Sequence, residues 1–462
     1  MNIPRFVIAG AQSGVGKTTL TLGLLKALKE AGFRVQPFKV GPDYIDPGLH
    51  RAACETPSHN LDSWMGTEKV VKEVFSTYTP GKDVAVIEGV MGLFDGARGE
   101  KDRASTAHIA KILKAPVILV VNARGMARSC AALIKGYAEF DPQLDLAGVI
   151  FNNVGSENHA NFLREIVEDE LDIPCIGFLK RKNEITMPER HLGLLPAVEN
   201  KKLKEQLDSL AELIKEDIDL DKLLAVARKA PSLNDVTFSK SCPEKKVRLG
   251  VAWDEAFNFY YHDSITYLQE LGAEIHYFSP LRDKELPAVD GLYFGGGFPE
   301  IFLEELSSNR DMHLNIRQAH ENGMPIYAEC GGFMYLMEKL QDFEGRTFSG
   351  VGIIPGSVRM TKKLAALGYV KASPVVNTLL ARPGETLRGH EFHWSEMEGI
   401  PEENAAYTLV GGKGKDGRRE GYACGNLLGS YVHLHLRSNP TAARGFIKSL
   451  GNYGQEKAMD NC

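Results

Sequence analysis

Apolar runs bounded by turn residues recur through the first half of the chain: RFVIAG, RVQPFKV, DVAVIEG, PVILVVNA, LAGVIFNNV and IPCIGFL. Helix-length segments separate them. Such runs read as strands buried on both faces, and their alternation with helices predicts a parallel sheet covered on either side. A polar helical stretch, NKKLKEQLDSLAELIKEDIDLDKLLAVARK, closes this half, and PSLNDVTFSKSCPEKK follows it, rich in Pro, Ser, Asn and Lys and without apolar periodicity. That segment reads as a linker. A second strand-and-helix series opens at VRLGVAWD and runs through AEIHYFSP, GLYFGGG and PIYAEC. The pattern predicts two doubly wound α/β domains, over 1–230 and 246–455, joined by a linker at 231–245.

Composition narrows the setting. The 462 residues give ample core for two domains. A formal charge of −6 with 25% charged residues suggests neither a nucleic-acid partner nor a membrane surface. No apolar run approaches the roughly 20 residues that span a bilayer, and the chain opens on a strand rather than on a signal peptide. A cytoplasmic location is expected. Seven cysteines, Cys54, Cys130, Cys175, Cys242, Cys330, Cys424 and Cys462, are scattered without a C-x-x-C pair, which argues against a disulfide framework and a zinc ribbon.

Chemistry begins at the first strand. In RFVIAGAQSGVGKTTLTLGLLKAL the apolar run meets a glycine-rich loop and then an amphipathic helix, the order that cradles nucleotide phosphates in backbone N–H groups and a helix N-terminus. Gly10, Gly14 and Gly16 free the loop backbone, Lys17 reaches the β/γ-phosphates, and Thr18 is placed to hold Mg²⁺. The usual spacing puts glycine at position 11, which is Ala11 here, so the loop carries one extra residue and reads G-x5-G-K-T. Two further loops fall at carboxyl ends of predicted strands, where Mg·ATP and an acidic substrate bind in such sheets. FKVGPDYIDPG offers Lys39, Asp43 and Asp46 in a loop broken by Pro and Gly, and VIEGVMGLFDG offers Glu88 at a strand end with Asp95 in the next turn. Glu88 is the expected second support for a phosphate-bound Mg²⁺.

The G-x5-G-K-T loop, KVGPDYIDP and EGVMGLFDG together resemble the ATP-dependent domain of the cobyrinic acid a,c-diamide synthases, a P-loop NTPase-like domain similar in fold to dethiobiotin synthetase. The resemblance implies that ATP phosphorylates carboxylates of a corrinoid and that ammonia displaces the phosphate, leaving carboxamides. It gives ATP binding to Gly14, Gly16, Lys17, Thr18, Thr19 and Lys39, Mg²⁺ to Thr18 and Glu88, and the reaction site to Asp43 and Asp46.

The second half should then supply ammonia. PIYAECGGFMYL runs an apolar strand into Glu329-Cys330-Gly331-Gly332 and a helix, so Cys330 sits on a tight strand-to-helix turn where a thiol projects freely beside backbone N–H groups. GLYFGGGFPE brings Gly295, Gly296 and Gly297 to another strand end, a second side for an oxyanion hole formed by Gly297 and Gly331. GSYVHLHLRSN offers a base, and because alternate strand residues share a face, His433 and His435 are both open as partners. These segments resemble the class I glutamine amidotransferases of the cobyrinate and cobyric acid synthase type. That resemblance makes Cys330 the nucleophile and His433 its base. Most class I enzymes carry an acid two residues after the histidine; here that position is His435, so what orients His433 is open.

RGHEFHWS adds His390 and His393, which with His433 and His435 assemble into a zinc site only on paper, since no metal-ligand spacing accompanies them. The alternatives for this segment are a glutaminase-side interface and a strand with two surface imidazoles. The resemblance implies a glutamine-dependent ligase acting on cobyrinate, with hydrogenobyrinate and nickel sirohydrochlorin as alternative tetrapyrroles. Expected partners are the tetrapyrrole, ATP and L-glutamine, with a homodimer possible. A MinD/ParA-like regulatory ATPase is the rival from another class; it shares the P-loop but has no use for Cys330.

Overall fold

The structure, a computed structural model, describes residues 2–180, 189–190, 193–234 and 246–460. It comprises two compact units, Met1–Phe238 and Ser239–Cys462. Cys242, Cys462 and positions 235–245 of the expected linker lie outside the described residues.

The first unit is built on seven parallel strands, β1 (Arg5–Gly10), β2 (Val35–Val40), β3 (His59–Leu61), β4 (Val84–Glu88), β5 (Val117–Asn122), β6 (Leu146–Val154) and β7 (Cys175–Lys180), in the order β3-β2-β4-β1-β5-β6-β7. All of β1 and β2 is buried, the polar Arg5, Gln36 and Lys39 included, and two apolar clusters pack on the opposite faces of the sheet. The short β3 at the sheet edge is too brief to leave a periodic signal. Helix α1 (Lys17–Glu30) follows β1 and packs against helix Leu203–Asp217, so the polar helical stretch covers the sheet with its apolar face. Helix α2 (Ile45–Cys54) follows β2, and this corrects the sequence reading, which left Asp46 in a loop: Asp43 caps the helix start and Asp46 lies in its first turn. The expected domain end at residue 230 also falls short, because Leu233 is buried in the first unit's core and the Pro231 carbonyl accepts from Arg5 Nη2 at 2.5 Å.

The second unit has a six-stranded sheet in the order Ala273–Phe278, Val247–Ala252, Gly291–Phe294, Ile326–Glu329, Leu427–Ser430, Tyr422–Cys424. The first five run parallel and the last antiparallel. Two further sheets, of four and five strands, add to the doubly wound plan the sequence predicts. The five-stranded one is antiparallel throughout and ends on Leu387–His393 paired with His433–Leu434. The chain therefore leaves the parallel sheet at Ser430 and enters the antiparallel one at His433 within three residues. That crossing carries the histidine past the end of the strand that precedes Cys330.

Candidate active sites

In the phosphate loop, Gly14 (φ +75°) and Gly16 (φ +92°) hold left-handed backbone that favours glycine. Helix α1 starts at Lys17 with no acidic side chain in its first turn, so its positive end is left for an anion. Lys17 Nζ donates to the Met91 carbonyl at 2.5 Å, and Asn152 Nδ2 braces the loop by donating to the Val15 carbonyl at 2.8 Å. Burial first, and then the neighbouring Lys39, lowers the Lys17 pKa. Thr19 follows, half-buried, in the first turn of α1.

Glu88 is the centre of this site. The parallel register sets Lys39 of β2 beside Glu88 of β4, so both side chains emerge on one face. Glu88 Oε1 accepts from Thr18 Oγ1 at 2.6 Å and from Lys39 Nζ at 2.8 Å, while Oε2 lies 2.6 Å from His50 Nε2. Lys39 also pairs with Asp46 at 2.5 Å, and Thr18 Oγ1 lies 3.4 Å from Asp46. Burial would push the fully buried Glu88 carboxyl upward, but Lys39 and His50 outweigh it and hold the group well below the usual carboxylate range. Lys39 is likewise held protonated: burial opposes the charge, and Asp46, Glu88 and Asp43 overcome it. Asp46 is raised, first by burial and next by Asp43. The structure brings Thr18, Lys39, Asp46 and Glu88 together and adds His50, which the sequence reading misses; it lies one helical turn after Asp46 and is anchored by Ser58 Oγ at 3.0 Å. Asp43 is committed to α2, accepting from the Ile45 and Asp46 amides at 2.8 and 2.9 Å, and Asp95 closes its own turn by accepting from Gly92 N at 2.9 Å.

The second site lies at the end of strand Ile326–Glu329. Cys330 has φ +45° and ψ −105°, a strained conformation for a residue with a side chain, and its amide donates to the Ser430 carbonyl at 2.8 Å. The turn is as tight as the E-C-G-G run predicts. Gly331 is pressed against the Gly297 backbone: a Cβ there would stand 3.1 Å from Gly297 N and 2.8 Å from Pro299 Cδ. Gly297 itself has φ +154°, and a Cβ on it would come within 2.0 Å of the Ala256 carbonyl oxygen. Both expected oxyanion-hole glycines therefore meet beside the cysteine and tolerate no side chain.

His433 is within hydrogen-bonding reach of the Cys330 side chain and has its Nδ1 3.5 Å from Glu329 Oε2. Burial lowers its pKa, yet Cys330 and then Glu329 outweigh that and raise it to about 10. His435 does not share the site. The strand ends at Leu434, and His435 turns to Ser438 Oγ at 2.8 Å and Asp263 at 3.5 Å, against the Tyr261 ring. The two imidazoles of the GHEFHWS segment differ: His390 is buried opposite His433 in the ladder, and His393, half-buried, stacks on Tyr431 at 3.7 Å. The four histidines do not converge on one point.

Residues 6–195 match the CobQ/CobB/MinD/ParA nucleotide binding domain, and residues 248–441 match the CobB/CobQ-like glutamine amidotransferase domain. Among curated proteins, the cobyrinate a,c-diamide synthase of Dehalococcoides mccartyi strain CBDB1 is 45% identical, with 97% of this chain and 98% of the relative covered. Those of Caldanaerobacter subterraneus subsp. tengcongensis and Archaeoglobus fulgidus are 44% and 43% identical, covering 98% and 97% of this chain and 99% and 98% of the relatives. The chain belongs to the cobyrinate a,c-diamide synthase family. Among solved structures, PurLQS from Thermotoga maritima covers 45% of this chain and 99% of its own at 22% identity, with a TM-score of 0.35.

Membership in the cobyrinate a,c-diamide synthase family sets aside the regulatory-ATPase rival, and the family's amidotransferase half contains a further buried acid that the sequence reading missed. Glu420 accepts from Ser430 Oγ and the Tyr431 amide, both at 2.7 Å, and so fixes the turn whose Ser430 carbonyl receives the Cys330 amide. Burial, and next the charge of Glu391, pushes its carboxyl up from 4.5 to about 8. The folded chain then retains a proton that the unfolded chain gives up, so the stability tied to this group is complete below the unfolded value near 4.5 and is lost as pH rises to about 8. Glu420→Gln keeps the acceptor and removes the ionisation. Its melting temperature is expected to fall less than that of the unmodified chain between pH 5 and 8, and parallel curves in calorimetry would refute the protonation.

Proposed function

We propose that this chain is a glutamine-dependent and ATP-dependent ligase that amidates the a- and c-acetate carboxylates of cobyrinate in cobalamin biosynthesis. One observation carries the reading: a single chain holds both a Cys-His nucleophile elbow and a phosphate loop faced by a buried carboxylate. The relatives that share 43–45% of its residues are named for that reaction. No described helix is long and apolar enough to cross a membrane, and we place the enzyme in the cytoplasm.

In the second unit, the Cys330 sulfur attacks the side-chain amide carbon of glutamine, with the oxyanion received by the amides of Gly297 and Gly331. His433 delivers a proton to the departing ammonia and then takes one from the water that hydrolyses the thioester, releasing glutamate. In the first unit, a substrate carboxylate oxygen attacks the γ-phosphorus of ATP and ADP departs. Ammonia then attacks the acyl carbon, and phosphate leaves with the original carboxylate oxygen. Lys17 and the N-terminus of α1 neutralise charge on the phosphates, and Lys39 sits where the transferred phosphoryl group needs a cation. Thr18, Glu88 and Asp46 present hard oxygens to one place, the donor set Mg²⁺ prefers, and would hold a Mg²⁺ that neutralises phosphate charge.

The acyl phosphate leaves an isotopic trace. With ¹⁸O in the substrate carboxylates, one label should pass to inorganic phosphate for each amide formed, with ADP as the nucleotide product. Unlabelled phosphate beside amide product, or AMP, would overturn the mechanism. Offering cobyrinate, hydrogenobyrinate and nickel sirohydrochlorin side by side, and weighing the products, tests the substrate.

A further inference from the structure

We propose that Glu329, the residue immediately before the nucleophile, is the acid that positions His433 and supplies what the chain lacks at position 435. The inference rests on the reading of Cys330 and His433 as the glutaminase pair. Its basis is the crossing of the two sheets. Glu329 ends the strand Ile326–Glu329 opposite Ser430, and the neighbouring chain then turns into His433–Leu434. Glu329 is 1% exposed. Its Oε1 accepts from the Leu434 amide at 2.9 Å and from Tyr327 Oη, its Oε2 accepts from Tyr293 Oη at 3.0 Å, and the same Oε2 faces His433 Nδ1 at 3.5 Å.

Each donor has a consequence. The Leu434 amide ties the carboxylate to the backbone directly after the histidine, so imidazole and acid are held in one frame. The two tyrosine rings stack at 4.9 Å and are fully buried, which leaves Glu329 no alternative rotamer in reach of solvent. All three donors are neutral, and a buried carboxylate held by neutral donors gains most from a neighbouring imidazolium. The other buried acids nearby are committed elsewhere: Asp263 to Arg437, Glu391 to Arg418, and Glu420 to Ser430 and Tyr431. The groups facing His433 are Cys330 and Glu329 from one side and His390, Glu391 and His393 from the strand Leu387–His393. Burial leaves His390 and His393 with values near 3 and 4, so they are neutral at working pH and Glu329 is the acid aligned with Nδ1.

A carboxylate at Nδ1 fixes the tautomer that turns Nε2 toward the sulfur and stabilises the imidazolium formed when the thiol is ionised. In the full-length enzyme, Glu329→Gln should lower glutaminase kcat/KM by about 10²- to 10⁴-fold, the range for loss of an acid behind a catalytic histidine. It should also move the acid limb of Cys330 alkylation by iodoacetamide to higher pH, by about one unit or more, since the imidazolium partner is weakened. A purely structural role lowers the rate and leaves the limb in place, so an unshifted limb overturns the proposal, as does a kcat/KM close to that of the unmodified enzyme. If Glu329→Gln fails to fold by circular dichroism, Glu329→Asp takes over: the shortened side chain draws the carboxylate back from Nδ1, so a lowered rate with a limb moved to higher pH is expected, and an unchanged rate or an unshifted limb refutes the role. Cys330→Ala, run in parallel, separates the two readings. Retained glutaminase there sinks the Cys330 assignment itself, whereas its loss beside an unaffected Glu329→Gln sinks only this inference.

Discussion

Cys330→Ala is expected to reduce amidation from glutamine by about 10⁴-fold or more, the scale on which a covalent nucleophile's removal is felt, while amidation from concentrated ammonium salt at alkaline pH persists. The asymmetry follows from the division of chemistry between the units. Cys330, His433, Gly297 and Gly331 lie in the second unit, and the phosphate loop, Lys39 and Glu88 in the first. Free ammonia needs only the acyl phosphate. The substitution is mild for the fold, since alanine meets the same φ of +45° that cysteine already bears and removes one sulfur atom from a turn held by backbone hydrogen bonds. Product mass measured with each nitrogen donor checks the result. Loss of both activities in a folded variant would remove Cys330 from the role of nucleophile.

Much of both sites was legible because it is local. The phosphate loop, the strand-end Glu88 and the E-C-G-G turn each place a side chain by the few residues around it, and the parallel strand order brings Lys39 beside Glu88 without any further signal. What the sequence hid depends on long-range pairing. Glu329 meets His433 only because the chain changes sheets between Ser430 and His433, a step no periodicity announces. Glu420 is near in sequence, 10 residues before Ser430, but it ends a strand of a separate sheet, and only the change of sheet turns it onto that turn. His50 was hidden for another reason: reading YIDPGLH as a loop concealed the helical spacing that sets it over Asp46, although proline in a first turn is compatible with a helix. The shared-face argument for His433 and His435 failed because the strand stops at Leu434, and alternation holds only while the strand continues.

Glu88→Gln should slow ligation by about 10²-fold or more with either nitrogen donor, because it acts where phosphate charge is handled rather than where ammonia is made. The carboxylate has three partners, Thr18, Lys39 and His50, at 2.6, 2.8 and 2.6 Å. An amide of the same shape offers one oxygen to all of them and turns an N–H toward a donor. Lys39 then relies on Asp46 for its buried charge, and loss of one partner from a buried ionic cluster is costly for the fold, so a lower melting temperature should accompany the lower rate. Stability loss alone does not account for the expected phenotype: the proposed Mg²⁺ support is also gone, and the Mg²⁺ concentration for half-maximal ATP turnover should rise. Lys17→Ala separates the two effects. It removes the cation proposed to face the β/γ-phosphates while leaving the hydrogen bonds and ion pairs of Glu88 in place, so its rate should fall by a similar factor with the melting temperature nearly unchanged. Near-normal ATP turnover by Glu88→Gln with an unchanged Mg²⁺ requirement would mean that Glu88 serves only to neutralise Lys39, and that the metal finds its support elsewhere.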